Sequence, residues 1–259
     1  MDKEKLIGGY KNTKGKIIIP AKYTLLNGDE MTTPDCQYVY VLESGKSKKP
    51  VLNTESCKVF NKQGKLLYNA YWFDNGPDYF QEGLRRYVEK GKVGFVDYFG
   101  NKVIKAEWDD ASPFYNGISR VGQICNIGKA DEEHTFISCK EYFLINREGI
   151  VISKVDDSMN TDSVSKANYN LVINKPLLAQ EVEFKIHNLQ GVKNKMDNKE
   201  INKDALLFYV KDAAQKPCWL FIFRSTEDMV ESECKYIYYP TSTSCYLLNE
   251  CGNKIKIKL

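Results

Sequence analysis

Phe80-Gln81-Glu82-Gly83-Leu84-Arg85-Arg86-Tyr87-Val88-Glu89-Lys90-Gly91-Lys92-Val93-Gly94-Phe95-Val96-Asp97-Tyr98-Phe99-Gly100-Asn101-Lys102-Val103-Ile104-Lys105-Ala106-Glu107-Trp108 carries three short strand-like runs separated by glycine turns. The strands are expected at Leu84 to Val88, Val93 to Asp97 and Lys102 to Lys105, with turns at Glu89 to Lys92 and around Gly100. Gly100 stands where a tight turn asks for positive φ, which a residue without Cβ adopts at no steric cost.

The same punctuation recurs along the chain. Gly9 and Gly15 repeat the six-residue spacing of Gly94 and Gly100, and in both copies an aromatic, Tyr23 or Trp108, follows the second glycine by eight residues. Gly64 reaches Trp72 at the same offset. A fourth copy, Phe143 to Ile152, keeps the turn at Gly149 but has Asp157 in the aromatic position, and a fifth, Tyr246 to Ile257, turns at Gly252. The shortest gap between turn glycines is 36 residues, which sets the unit, and the longer gaps imply insertions. A second element, F-x-x-G-[LI]-x-R, occurs at Phe80 to Arg86 and 34 residues later at Phe114 to Arg120. One such unit cannot bury its apolar face alone, so the aromatics are expected to pack on neighbouring units.

These residues resemble the WG (KWG) repeat, over about residues 6 to 152. The best copy matches at Phe80, Glu82, Gly83, Leu84, Val88, Gly91, Lys92, Gly94, Phe95, Asp97, Gly100, Val103 and Ile104; the first adds Gly9, Tyr10, Gly15, Lys16, Ile17, Ile18, Ile19, Pro20 and Tyr23. The name-giving Trp is replaced by Gly8 and Val93, and the following Gly by Lys58 and Phe143, so the repeats are degenerate. The resemblance implies a β-hairpin array of binding or structural type, with no family catalytic residues to carry over.

Composition narrows the function classes. The 259 residues are 42% hydrophobic and 27% charged, as in a globular protein with a proper core. Two histidines, His134 and His187, stand against 32 aromatics, which disfavours His-based catalysis. The net charge is only +3, and 32 lysines outnumber five arginines, so no nucleic-acid partner is expected. The N-terminal residues lack a signal-peptide apolar run, and no window approaches the roughly 18 apolar residues of a membrane span. No membrane insertion is expected, and the expected location is the cytoplasm. The eight cysteines are irregularly spaced, which suits free thiols in a reducing compartment, and Cys218, Cys234, Cys245 and Cys251 contain no C-x-x-C knuckle for zinc. A bridge between Cys245 and Cys251 enters only if the protein is exported.

Outside the repeats, the stretch from Tyr23 to Cys57 holds a strand, Gln37 to Leu42, and a basic turn, Gly45 to Pro50. A further insertion, Asn126 to Cys139, reads as an acidic loop tip with Asp131, Glu132, Glu133 and His134. Val155 to Ala167 reads as a linker, dividing a repeat region, residues 1–155, from a β-rich region, residues 156–259, that is either separate or continuous with the first. Strand-like runs follow at Tyr169 to Ile173, Val182 to Ile186, Leu206 to Val210, Cys218 to Phe223 and Lys235 to Tyr239. A short helix is expected at Thr226 to Glu231, and Asn188 to Lys203 reads as a loop.

The expected fold class is all-β: an array of antiparallel β-hairpin repeats, a mostly β C-terminal region, and at most one or two short helices. Asp109/Asp110 read as turn caps rather than acids, and aromatic runs such as Tyr236 to Tyr239 read as packing. No phosphate loop or nucleophile elbow is present. The leading expectation is a non-enzymatic protein-interaction or structural module without catalytic residues, cofactor or metal. Its partner, an unidentified protein, would be bound through Lys46, Lys48 and Lys49 of one insertion and Asp131, Glu132 and Glu133 of the other. The alternatives are carbohydrate or cell-surface polymer binding by exposed aromatics, an enzyme of unfamiliar type, and a bacterial or phage accessory or immunity protein.

Overall fold

The repeated turn owes its shape to a side chain as much as to its glycine. In each of the first four copies an Asn or Asp begins a five-residue loop, its Oδ1 accepting the backbone N–H groups two and four residues on. Asn12 takes those of Lys14 and Lys16 at 3.1 and 3.0 Å. Asn61 takes Gln63 and Lys65, Asp97 takes Phe99 and Asn101, and Asn146 takes Glu148 and Ile150. The fourth residue, Gly15, Gly64, Gly100 or Gly149, has φ between 78° and 80°, where L residues are strained. The computed structural model of the chain describes residues 7–25, 37–43, 57–73, 76–129, 135–155, 175–198, 201–224, 234–249 and 253–259.

Asp212 makes the same loop, capping Ala214 and Lys216 at 2.9 Å each, with Gln215 at φ 61° where the other copies have glycine. The turn therefore recurs in the C-terminal region, at a place that glycine spacing alone does not reveal. At Asn249 the N–H of Asn253 is capped by the same side chain at 2.8 Å, closing the copy that contains Gly252.

At Gly15 nothing lies within 4 Å of an added Cβ, whereas at Gly64 it would meet the Ile18 carbonyl oxygen at 2.3 Å. Gly15→Ala is expected to cost about 1–2 kcal/mol from the left-handed backbone alone. Gly64→Ala is expected to cost clearly more, and urea denaturation of the two variants side by side checks the order.

The hairpins assemble into an eight-stranded antiparallel sheet of β1 (Ile7–Lys11), β2 (Ile17–Leu25), β3 (Tyr38–Leu42), β4 (Cys57–Asn61), β5 (Leu66–Ala70), β8 (Leu84–Glu89), β9 (Lys92–Asp97) and β10 (Lys102–Trp108), in that order. A small ribbon, β6 (Trp72–Phe73) and β7 (Gly76–Pro77), interrupts the sequence between β5 and β8. Gly9 and Gly94 have a steric reason: an added Cβ would lie 2.3 or 2.5 Å from a carbonyl oxygen of the adjoining strand. A second sheet follows, ordered β11 (Asp110–Ala111), β12 (Ile118–Lys129), β13 (Thr135–Asn146) and β14 (Val151–Val155). The repeat aromatics pack between units, as their spacing predicts. Tyr23 meets Phe60 at 5.8 Å between ring centroids, Phe95 meets Phe114 at 4.7 Å, and Trp108 meets Phe143 at 5.9 Å.

A third antiparallel sheet runs β15 (Leu206–Lys211), β16 (Pro217–Phe223), β17 (Cys234–Tyr239), β18 (Ser244–Leu248) and β19 (Lys254–Ile257). One face is covered by α1 (Leu177–His187) and α2 (Gln190–Asp197). The other receives Phe80, Tyr98 and Phe99 from the repeat region. Strand expectations at Leu206 to Val210, Cys218 to Phe223 and Lys235 to Tyr239 match this sheet.

Two readings are corrected here. Val182-Glu183-Phe184-Lys185-Ile186 alternates apolar and polar residues, yet it is helical and lies inside α1. Val182 and Ile186 are four apart, one helical turn, and with Ala179 they form the buried stripe, while Phe184 is 68% exposed. Glu183 is buried against Lys175 at 2.6 Å and caps the Ala205 N–H. The span from Asn188 to Lys203, read as a loop, contains α2, anchored by Val192. The runs expected at Tyr169 to Ile173 and Thr226 to Glu231 lie outside the described residues.

Candidate interaction site

The six residues proposed from sequence to bind a partner, Lys46, Lys48, Lys49, Asp131, Glu132 and Glu133, lie outside the described residues. The strands on either side of the acidic group are described, and they change its setting. Of the insertion from Asn126 to Cys139, read as an acidic loop tip, both described ends are strand: β12 extends to Lys129 and β13 starts at Thr135, paired in register from Ile118↔Asn146 out to Lys129↔Thr135.

The two strands outrun their neighbours. β11 pairs with β12 only at Val121 and Gly122, and β14 pairs with β13 only from Tyr142 to Ile145. Beyond those positions, among the described residues, Gln123 to Lys129 and Thr135 to Glu141 pair only with each other, forming a two-stranded arm. Two of its apolar side chains, Ile124 near the base and Phe136 farther out, are 55% and 50% exposed. A two-stranded ribbon without a further strand or helix is marginal in water, so the arm needs anchoring at its base.

Three anchors converge there. Ile124 has φ 56°, an outlier for a β-branched residue. Its N–H donates to Asp109 Oδ2 at 2.8 Å, and Cys125 N–H donates to the same oxygen at 3.4 Å. Asp109 Oδ1 in turn is held by Lys92 Nζ at 2.5 Å. Partial burial opposes ionisation of Asp109, but the Lys92 ammonium and the two N–H donors outweigh it and hold the carboxyl below its ordinary value. Asp109, expected to cap a turn, instead accepts backbone N–H groups of the β12 strand. The second anchor is a disulfide between Cys125 and Cys139, which face each other across the arm with Cα atoms 3.9 Å apart. Gly122 leaves it room, since an added Cβ there would come within 2.4 Å of Cys139 Sγ. Third, Cys139 N–H donates to the Tyr142 hydroxyl at 3.0 Å, and the Arg120 guanidinium lies over the Tyr142 ring.

The bridge corrects the expectation of free thiols for these two cysteines. Cys57, Cys218 and Cys245 are free and buried, and burial pushes their thiols up to about 12, 12 and 11. Such thiols are protonated at neutral pH and inert as nucleophiles. Among the described residues no group of three or more His, Cys, Asp or Glu side chains could hold a metal ion. No helix among them is long and apolar enough to cross a membrane.

The remaining polar clusters join parts of the fold. Glu82 caps the Asn116 and Gly117 N–H groups at 2.7 and 2.8 Å, while Arg224 Nη1 reaches Asn116 Oδ1 at 2.9 Å and Glu82 Oε1 at 3.4 Å. Arg147 lies 3.6 Å from the Phe208 ring centroid, and burial lowers its guanidinium to about 10. Arg85 donates to the Tyr40 hydroxyl at 2.7 Å and stacks over Phe80.

Asp212 accepts from the Tyr239 hydroxyl at 2.7 Å and from Lys254 Nζ at 3.1 Å. Burial opposes its ionisation, yet these donors and the Lys216 N–H bring its carboxyl down to about 2 from 3.8. A folded-state value below the unfolded one stabilises above roughly pH 4, and that contribution is lost as pH falls toward 2. In Tm measured against pH, Asp212→Asn is expected to lower stability at neutral pH and to remove this part of the acid transition.

The model of the WG containing repeat matches residues 9–45 and 94–123. The resemblance read from the turn glycines thus holds over those two segments. Comparisons with curated proteins and with solved structures give no match.

Proposed function

We propose that this WG-repeat chain is a non-enzymatic scaffold that presents the β12–β13 arm to a protein partner. The observation that carries the reading is the arm itself: Ile124 and Phe136 sit exposed on a ribbon that outruns its sheet. Elements projecting from a rigid framework are where binding residues concentrate, because they change without disturbing the core. In the sequence Asp131, Glu132 and Glu133 fall between these two residues, a pattern suited to a partner with an apolar spot beside basic residues. The same reading places the chain in the cytoplasm, and cell fractionation that finds it outside counts against that part.

Co-purification with the wild-type chain and with an Ile124→Asp/Phe136→Asp variant tests the assignment. Both side chains are exposed and aspartate adopts the left-handed backbone at 124 more readily than a β-branched residue does, so the variant is expected to melt like wild type and to lose proteins that wild type retains. If the variant retains all of them, the arm is not the docking element.

A further inference from the structure

We propose that Cys125 and Cys139 are a reversible dithiol–disulfide couple that locks and releases the arm. The inference stands on the geometry of the arm's base and does not depend on what the arm binds.

The cysteines whose side chains the structure describes divide into two groups. Cys57, Cys218 and Cys245 are buried in the cores of their sheets, where a dissolved thiol has no access. Cys125 and Cys139 are only partly buried, on a segment with no flanking strand among the described residues. Access decides which disulfides exchange. The bond closes a loop of sequence separation 14, within one hairpin, so its influence is local: it ties no distant parts of the fold together.

The arm has the properties of a two-state element. Its outer strands have one ladder between them, and its base holds Ile124 at positive φ, a conformation kept by the bridge on one side and the Asp109 carboxylate on the other. With the bridge closed, both strands are fixed at that point. With it open, Asp109, Lys92 and the Tyr142 hydroxyl remain, and the ribbon beyond them has only marginal intrinsic stability.

The chemistry balances with a low-molecular-weight thiol such as glutathione as reductant. A thiolate attacks one sulfur, the Cys125–Cys139 bond breaks, a mixed disulfide forms, and the displaced cysteine leaves as thiolate and takes a proton. A second thiolate attacks the mixed disulfide, releasing the other cysteine, which is protonated, and the oxidised dimer of the reductant. Two electrons and two protons pass to the protein, and two thiols become one disulfide.

The test uses the full chain in glutathione buffers of graded ratio, with alkylation mass spectrometry for the bond and hydrogen exchange for the arm. Both forms are expected to be populated across the buffers, with amides in 123–129 and 135–141 exchanging on the order of tenfold faster or more in the dithiol form. Exchange in β8 and β9 is expected to stay the same, which separates release of the arm from general unfolding. A Cys125→Ser/Cys139→Ser variant is expected to exchange like the dithiol form in every buffer. The proposal is overturned if the bond survives the most reducing buffer, or if the arm exchanges equally in both forms. Failure of the Ile124/Phe136 variant to release a partner would leave this result standing, since exchange reports on the arm alone.

Discussion

Asp78→Ala is expected to lower stability by about 3–5 kcal/mol, a fall in Tm on the order of 10 °C. Asp78 and Arg86 are almost fully buried. Arg86 donates Nε to Asp78 Oδ2 at 2.9 Å and Nη2 to Oδ1 at 2.7 Å, its backbone N–H reaches the same carboxylate, and Nη1 donates to the Ala111 carbonyl at 2.8 Å. The guanidinium also lies 4.4 Å from the Tyr71 ring centroid. The pair therefore fastens β8 of the large sheet to β11 of the next. Alanine at 78 removes the carboxylate facing Nε and Nη2 while the guanidinium stays in a low-dielectric setting, the most costly way to break a buried pair. Adding Arg86→Met to the same chain is expected to recover much of the loss, because no buried charge is then left behind. Thermal denaturation of the three chains decides it; an Asp78→Ala chain that melts with wild type would remove the pair from the account of how the sheets are held.

The second large effect is expected at Glu82. Its carboxylate caps two N–H groups of the next F-x-x-G turn and faces Arg224, while its own carbonyl oxygen accepts from Arg147 Nη1 at 2.5 Å. Glu82→Ala leaves the Asn116 and Gly117 N–H groups without that acceptor, at about 1–3 kcal/mol each. It also removes the carboxylate nearest two arginines. A loss of about 3 kcal/mol or more is expected by urea denaturation, together with faster exchange of the Asn116 and Gly117 amides. Glu82→Gln keeps one acceptor oxygen and is expected to lose less. Equal stability for the Ala and Gln variants would show that the carboxylate is not the joint between the units.

This joint explains how the repeat ends. In the second F-x-x-G element Asn116 stands where Glu82 stands in the first. Arg224 from the C-terminal sheet bonds to that Asn116 side chain, so the C-terminal region meets the repeat at the position where another unit's turn would be expected. Tyr98 and Phe99, inside a repeat turn, pack on the same sheet, and the turn at Asp97 touches the turn at Asp212 through Asn101 and Gln215. A terminal repeat needs such a cover.

Much of this was legible in the sequence, and the rest was hidden for identifiable reasons. Turn glycines at 15, 64, 100 and 149 betray their loops because no other residue takes φ near 80° so readily. The loop at Asp212 escapes the same search because Gln215 accepts the strain. The helix at Leu177–His187 was concealed by an alternating run that fits a strand as well as a helix, and only the tertiary packing of Val182 and Ile186 decides between them. The bridge between Cys125 and Cys139 follows from register, and register is invisible while Asn126 to Cys139 is taken for a loop; once the hairpin is drawn with Gln123 opposite Glu141, the two cysteines fall opposite each other. The role of Glu82 was signalled by the 34-residue offset of the two F-x-x-G elements, but nothing in the sequence says that one caps the other.

Photo-crosslinking from position 136 in the living cell tests the docking assignment most directly. A photoreactive phenylalanine analogue replaces Phe136 in one chain and the exposed Ile17, on β2 of the large sheet, in another. A protein adduct from position 136 and none from position 17 is the predicted result; adducts from position 17 with none from position 136 would contradict it.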